Sequence, residues 1–133
     1  MTEKPLLNSI FPHLEDTDMK QLTFKLNLNC KLAVYVPSTY SVNQSTDNSD
    51  MVRHVMASMS ELFGGATSTP AKGGWKSAQG ELILEDITIV YSYCTPERAN
   101  EHMENVISLC EHIKHEMQQE AVTLEYNNQI AFI

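Results

Sequence analysis

Glu81-Leu82-Ile83-Leu84-Glu85-Asp86-Ile87-Thr88-Ile89-Val90-Tyr91-Ser92-Tyr93-Cys94-Thr95-Pro96-Glu97 is the stretch on which the fold turns. Its β-branched and aromatic residues predict a long strand over residues 81 to 94, with a bulge expected at Glu85-Asp86. Thr95-Pro96-Glu97 then starts a helix: Thr95 suits the N-cap, Pro96 the first helical position, and acidic side chains the positive end of the dipole. Apolar residues of both parities in the strand predict burial on both of its sides.

Working outward, Gln79-Gly80 supplies a turn, so residues 66 to 77 and 81 to 94 form a hairpin. That hairpin lies inside a window, residues 64 to 80, that holds all five glycines and the only tryptophan. Such a concentration predicts an unusual backbone segment with Trp75 as its amphipathic ring. Upstream, Met51, Val52, Val55, Met56, Met59, Leu62 and Phe63 recur at helical spacing, with Asp47, Asn48 and Ser49 at the start and Gly64-Gly65 at the end. A polar loop, Ser38 to Ser49, precedes this helix. Leu22 to Val36 is apolar at every second position, which predicts β structure with a bend or turn near Asn27 to Asn29. Downstream, Ala99, Met103, Val106, Cys110, Ile113 and Met117 predict an amphipathic helix to about Gln119. Ala121 to Tyr126 reads as a strand, and Asn127-Asn128 as a two-residue turn into Gln129 to Ile133.

From Lys31 the order is strand, helix, strand, strand, helix, strand. This is an α+β chain with the ferredoxin-like βαββαβ arrangement: an antiparallel sheet, two helices on one face, an N-terminal strand or arm and a C-terminal hairpin. Residues 1–29 form the arm and extra strand, and 30–133 the domain. The uncovered sheet face predicts a homo-oligomer, a dimer or higher.

The 133 residues fit one domain, with 42% hydrophobic and 20% charged residues. Seventeen acidic against nine basic residues give a net charge of -8. With no cationic cluster, direct nucleic-acid binding is disfavoured. Three widely spaced cysteines without a CxxC pair argue against a disulfide framework or zinc knuckle and for reduced thiols, hence a cytoplasmic protein. Met1 to His13 lacks an apolar signal core, and no stretch has membrane-spanning length.

Lys31-Leu32-Ala33-Val34-Tyr35-Val36-Pro37, Glu61-Leu62-Phe63-Gly64-Gly65-Ala66-Thr67, Gly74-Trp75 and Thr88-Ile89-Val90-Tyr91 resemble an uncharacterised family of small bacterial proteins carried on phages, plasmids and integrative elements. The resemblance spans roughly residues 31 to 133. It implies genetic context and carries no biochemical activity.

Neither GxGxxG nor GxxxxGK[ST] occurs, so the glycine window is no phosphate loop. Lys72 and Lys76 flank Trp75, a grouping able to stack a ring and pair its phosphate or carboxylate; a hairpin with Trp75 capping the core is the plain alternative. Thr67 joins them as a candidate contact. Tyr35, Tyr91 and Tyr93 are placed to line a pocket or a dimer interface on the open sheet face. His112 and His115 have a metal-compatible spacing but lie among charges, which favours a solvated helix face. Cys94, just before a helix, is the one nucleophile candidate, against a buried inert thiol. No catalytic residue, metal or cofactor is assigned.

The function expected from these features is a non-enzymatic binding protein of a mobile element, inhibiting a host defence system by engaging a host protein or a small nucleotide-like ligand. The alternative is a small enzyme of the dimeric α+β barrel type, acting on a small molecule in the open sheet-face pocket.

Overall fold

A computed structural model describes residues 26–41 and 44–133. Residues 1–25 of the expected arm, 1–29, lie outside them. Residues 26–29 belong to no strand, so within the described chain the alternation becomes β structure only at Cys30.

In chain order the elements are β1 (Cys30–Pro37), β2 (Thr39–Tyr40), β3 (Gln44–Ser45), α1 (Ser49–Phe63), β4 (Thr67–Lys76), β5 (Leu82–Cys94), α2 (Pro96–Glu116), β6 (Thr123–Tyr126) and β7 (Gln129–Phe132). The chain is α+β. Five strands form one sheet in the order β4-β5-β1-β6-β7, and every pairing in it is antiparallel. The predicted polar loop contains the small separate ladder β2-β3, too short for periodicity to reveal.

Strand alternation sorts β1 cleanly. Leu32, Val34 and Val36 turn to the helices and are fully buried with Val90, Val55, Met59, Val106, Cys110 and Ile113. Burying a large aliphatic side chain contributes about 1.5–3 kcal/mol, so this layer carries much of the fold's stability. Among the described residues no helix is long and apolar enough to cross a membrane.

Side chains and backbone fix the helix ends. Thr95 Oγ1 accepts from the Arg98 backbone N–H at 3.2 Å, with Pro96 in the first turn. Arg98 Nε donates to the Leu62 carbonyl at 3.0 Å, tying the start of α2 to the end of α1. Gly64, at φ +86°, closes α1 with its N–H on the Ser60 carbonyl. At the start of α1, Asn48 makes no cap with its side chain; instead its Nδ2 reaches the Pro37 carbonyl at 3.2 Å and Thr88 Oγ1 at 3.4 Å.

The β4–β5 hairpin keeps one register from Thr67 opposite Tyr91 to Lys76 opposite Leu82. The expected bulge at Glu85-Asp86 is absent: both residues pair in step, with Gly73 and Lys72. Nor is the glycine window an unusual backbone. Gly73 and Gly74 lie within β4, and of the window's glycines only Gly64 and Gly80 have positive φ.

Candidate functional site

The helices cover one side of the sheet, and register places the remaining side chains on the other. From β1 these are Lys31, Ala33, Tyr35 and Pro37; from β5 Ile83, Glu85, Ile87, Ile89, Tyr91 and Tyr93; from β4 Thr67, Thr69, Ala71 and Trp75, with Gly73 in the same phase. Glu125, Ile130 and Phe132 join them from β6 and β7. Only three of the residues that register assigns to this face are charged: Lys31, Glu85 and Glu125.

Tyr35, Tyr91 and Tyr93 do share this face, as expected. Tyr91 and Tyr93 meet edge to face, centroids 5.9 Å apart. Tyr35 donates its hydroxyl proton to Glu125 Oε1 at 2.9 Å. Lys31 Nζ lies 3.7 Å from Glu125 Oε2 and 4.9 Å from the centroid of the Tyr91 ring. The Glu125 carboxylate is thus already supplied with a cation, and that cation with an aromatic ring. Burial, then the hydrogen bond and charge of Glu125, push the Tyr35 hydroxyl above its ordinary pKa. It therefore holds its proton at neutral pH.

Farther along β5, Trp75 Nε1 donates to Glu85 Oε1 at 3.4 Å. The ring is half exposed. The ion pairs among the described residues, Lys31–Glu125, Lys72–Asp86, His102–Glu101 and Lys114–Glu111, leave Glu85 without a cationic partner. A carboxylate beside an open indole face is a recognition element for a cation of moderate size.

The grouping of Trp75 with Lys72 and Lys76 does not hold. Alternation in β4 sends Trp75 to the open face and both lysines to the opposite side, where Lys72 pairs with Asp86 at 3.3 Å. Thr67 lies opposite Tyr91, exposed and remote from Trp75 along the strand. Sequence reasoning missed Lys31, Glu85 and Glu125. Extending the strict alternation of β1 to a continuous β5 would have put Glu85 in phase with Tyr91 and Tyr93; the expected bulge concealed it.

The other candidates do not form a reactive centre. Cys94 is buried, and burial, with Cys30 adding to it, raises its thiol pKa against a smaller opposing effect of Arg98. It is a packed thiol, without the stabilised thiolate a nucleophile needs. His112 lies beside His54, ring centroids 5.1 Å apart and planes tilted by 55°. Among the described residues no group of three or more His, Cys, Asp or Glu converges as a metal site. A shallow hollow near the end of α2, lined by Glu111, Lys114, His115, Gln118 and Gln119, is built from helix-end residues and includes none of the sheet-face cluster.

Two solved structures of a phage enzyme share this fold. Phage SAM lyase in complex with S-methyl-5'-thioadenosine superposes with a TM-score of 0.60 at 15% identity, covering 85% of this chain and 95% of that one. Phage SAM lyase in the apo state gives 0.61 at 16% identity with the same coverage. No protein-family model matches the chain, and no curated protein matches it by sequence. The likeness corrects the expectation of a non-enzymatic, defence-inhibiting binding protein: the structures that share this fold over 85% of the chain are those of an enzyme.

Proposed function

We propose that this protein is a lyase acting on S-adenosylmethionine or a closely related sulfonium nucleoside, with its site on the open sheet face around Glu85 and Trp75. The observation that carries the reading is the coincidence of two facts. The fold is shared with phage SAM lyase over 85% of the chain, and the same open face presents a carboxylate that has no cationic partner among the described residues, beside an exposed indole. Within this reading the strand order and the two helices are ferredoxin-like.

The chemistry fits such a surface. Cleaving the bond between sulfur and the amino-acid side chain leaves the electron pair on sulfur and yields neutral S-methyl-5'-thioadenosine. No water is added, so the four-carbon fragment satisfies its vacated carbon either by a new C–O bond from its own carboxylate or by a new C=C bond as the adjacent carbon gives up a proton to solvent at the open face. Either route destroys the sulfonium charge, and weakly polar surroundings such as Ile83 and Ile87 favour a step in which charge disappears. Glu85 brings the cation to the face and Trp75 offers the π surface.

The test is to incubate purified protein with S-adenosylmethionine and follow S-methyl-5'-thioadenosine by liquid chromatography and mass spectrometry. Release that scales with protein and exceeds the spontaneous rate is expected. Release no faster than in buffer alone, from protein verified as folded, contradicts the reading.

A further inference from the structure

The proposed reaction uses none of the three cysteines, yet two of them meet. The β1–β5 register sets Cys30 directly opposite Cys94. Both side chains turn to the helix side and are buried, Cys30 in phase with Leu32 and Val34, Cys94 with Ser92 and Val90. Residues directly opposed in an antiparallel pair have Cα atoms about 4.5–5.5 Å apart, inside the roughly 4.4–6.8 Å that a disulfide spans. The two sulfurs can therefore bond without moving either strand. Cys110 stands apart on α2, its thiol raised by burial and Glu111 and by no other cysteine.

The pair is not symmetrical. Asn127 Nδ2 donates to Cys30 Sγ at 3.5 Å, and the Tyr126 hydroxyl lies 3.8 Å from the same sulfur. The bond with Cys30, then burial and the nearby Cys30 and Cys94 sulfurs, push that hydroxyl above its ordinary pKa, so it keeps a proton to offer. Donors aimed at a sulfur favour negative charge as it develops there, which suits Cys30 to attack first. Cys94, raised by burial, suits the second step, against a sulfur already oxidised.

Placement gives access. Cys30 opens β1 and Cys94 closes β5, and strand ends open locally at lower cost than strand centres. Hydrogen peroxide is close to water in size and enters where a bulky thiol reagent does not.

We propose that Cys30 and Cys94 form an oxidation site that hydrogen peroxide closes to a cross-strand disulfide. The Cys30 sulfur attacks one peroxide oxygen: an S–O bond forms, the O–O bond breaks, and the other oxygen leaves as water with the Cys30 proton. The Cys94 sulfur then attacks the Cys30 sulfur: the S–S bond forms, the S–O bond breaks, and the hydroxyl leaves as water with the Cys94 proton. Together the two sulfurs give up two electrons, and one peroxide accepts them. The bridge ties the entry of β1 to the exit of β5, and the site stands whether or not the lyase reading does.

The test exposes the reduced full chain to hydrogen peroxide, then denatures it, alkylates the free thiols and maps the peptides by mass spectrometry. Expected are the loss of two hydrogen atoms from the chain, a linked Cys30–Cys94 peptide, alkylation at Cys110 alone, and reversal by dithiothreitol. The closed form should melt higher by on the order of 10 °C, because the bridge restricts the unfolded chain. In Cys94→Ser the first step has no second sulfur to follow it, so dimedone should label a sulfenic acid at Cys30; Cys94→Ala serves should the serine variant fail to fold. The proposal is overturned by wild-type protein that keeps three free thiols, that bridges through Cys110 or to a second copy, or that goes to sulfinic acid with no bridge.

Discussion

Gly64 and Gly73 illustrate how differently two glycines of one window act. Gly64 holds φ +86° at the end of α1, a conformation that disfavours any residue with a Cβ, and a Cβ there would meet nothing within 4 Å. Gly64→Ala should therefore cost about 1 kcal/mol through backbone strain alone. Gly73 sits in strand conformation with open space around its Cα. Gly73→Ala should be neutral or stabilise by roughly 0.5 kcal/mol, because it restricts the unfolded chain. Urea titrations of the two variants check both signs. The clustering of glycine that stands out in the sequence thus reflects a cap, a turn and a plain edge strand. Composition alone could not separate these, and it hid Glu85, whose meaning depends on its phase with Tyr91.

At the scale of elements, the β6–β7 turn was legible because its chemistry is local. Asn127 and Asn128 adopt φ +47° and +70°, the left-handed pair that a two-residue hairpin turn requires. Asn127 does more: its Oδ1 accepts from the Lys31 backbone N–H at 2.8 Å, and its own N–H donates to the Lys31 carbonyl at 3.1 Å. Asn127→Ala should destabilise by about 1–2 kcal/mol, more than Asn128→Ala, since it loses that side-chain bond as well as the favourable turn residue. Thermal melts of the pair decide this. Both long helices were equally legible from spacing and end signals. The β2–β3 ladder was not, because Gln119 holds that segment from far along the chain, its Nε2 donating to the Thr39 carbonyl at 2.9 Å.

For the whole molecule, the sequence order of strands and helices pointed to one covered and one uncovered sheet face, and side-chain register bears out the apolar character of the second. What remained hidden was its division into a self-neutralised centre and a β4–β5 end where Glu85 meets Trp75 and, among the described residues, no cation, because Lys31 and Glu125 are brought together only by the β1–β6 pairing. Core chemistry also predicts an alkaline response. Burial, with Glu111 as a lesser cause, pushes the Cys110 thiol from its ordinary 9.0 up to about 12. Between those values the unfolded chain releases a proton that the native chain retains, so stability is intact below pH 9 and falls as pH rises toward 12. Melting temperature should decline less steeply over this range in Cys110→Ala than in the wild type, although the variant starts lower by the loss of its sulfur packing. The native thiols of Cys30, Cys94 and Cys110, all buried, should resist a thiol reagent until denaturant is added.

In the proposed reaction Glu85 is the carboxylate that would meet the sulfonium on the open face. The most direct measurement compares kcat/KM for release of S-methyl-5'-thioadenosine from S-adenosylmethionine by the wild type, Glu85→Gln and Glu125→Gln. Loss of a charge-assisted contact predicts a fall of roughly tenfold to a hundredfold for Glu85→Gln, with a smaller change for Glu125→Gln, whose carboxylate is already paired with Lys31. Equal turnover by the wild type and a folded Glu85→Gln variant would contradict it.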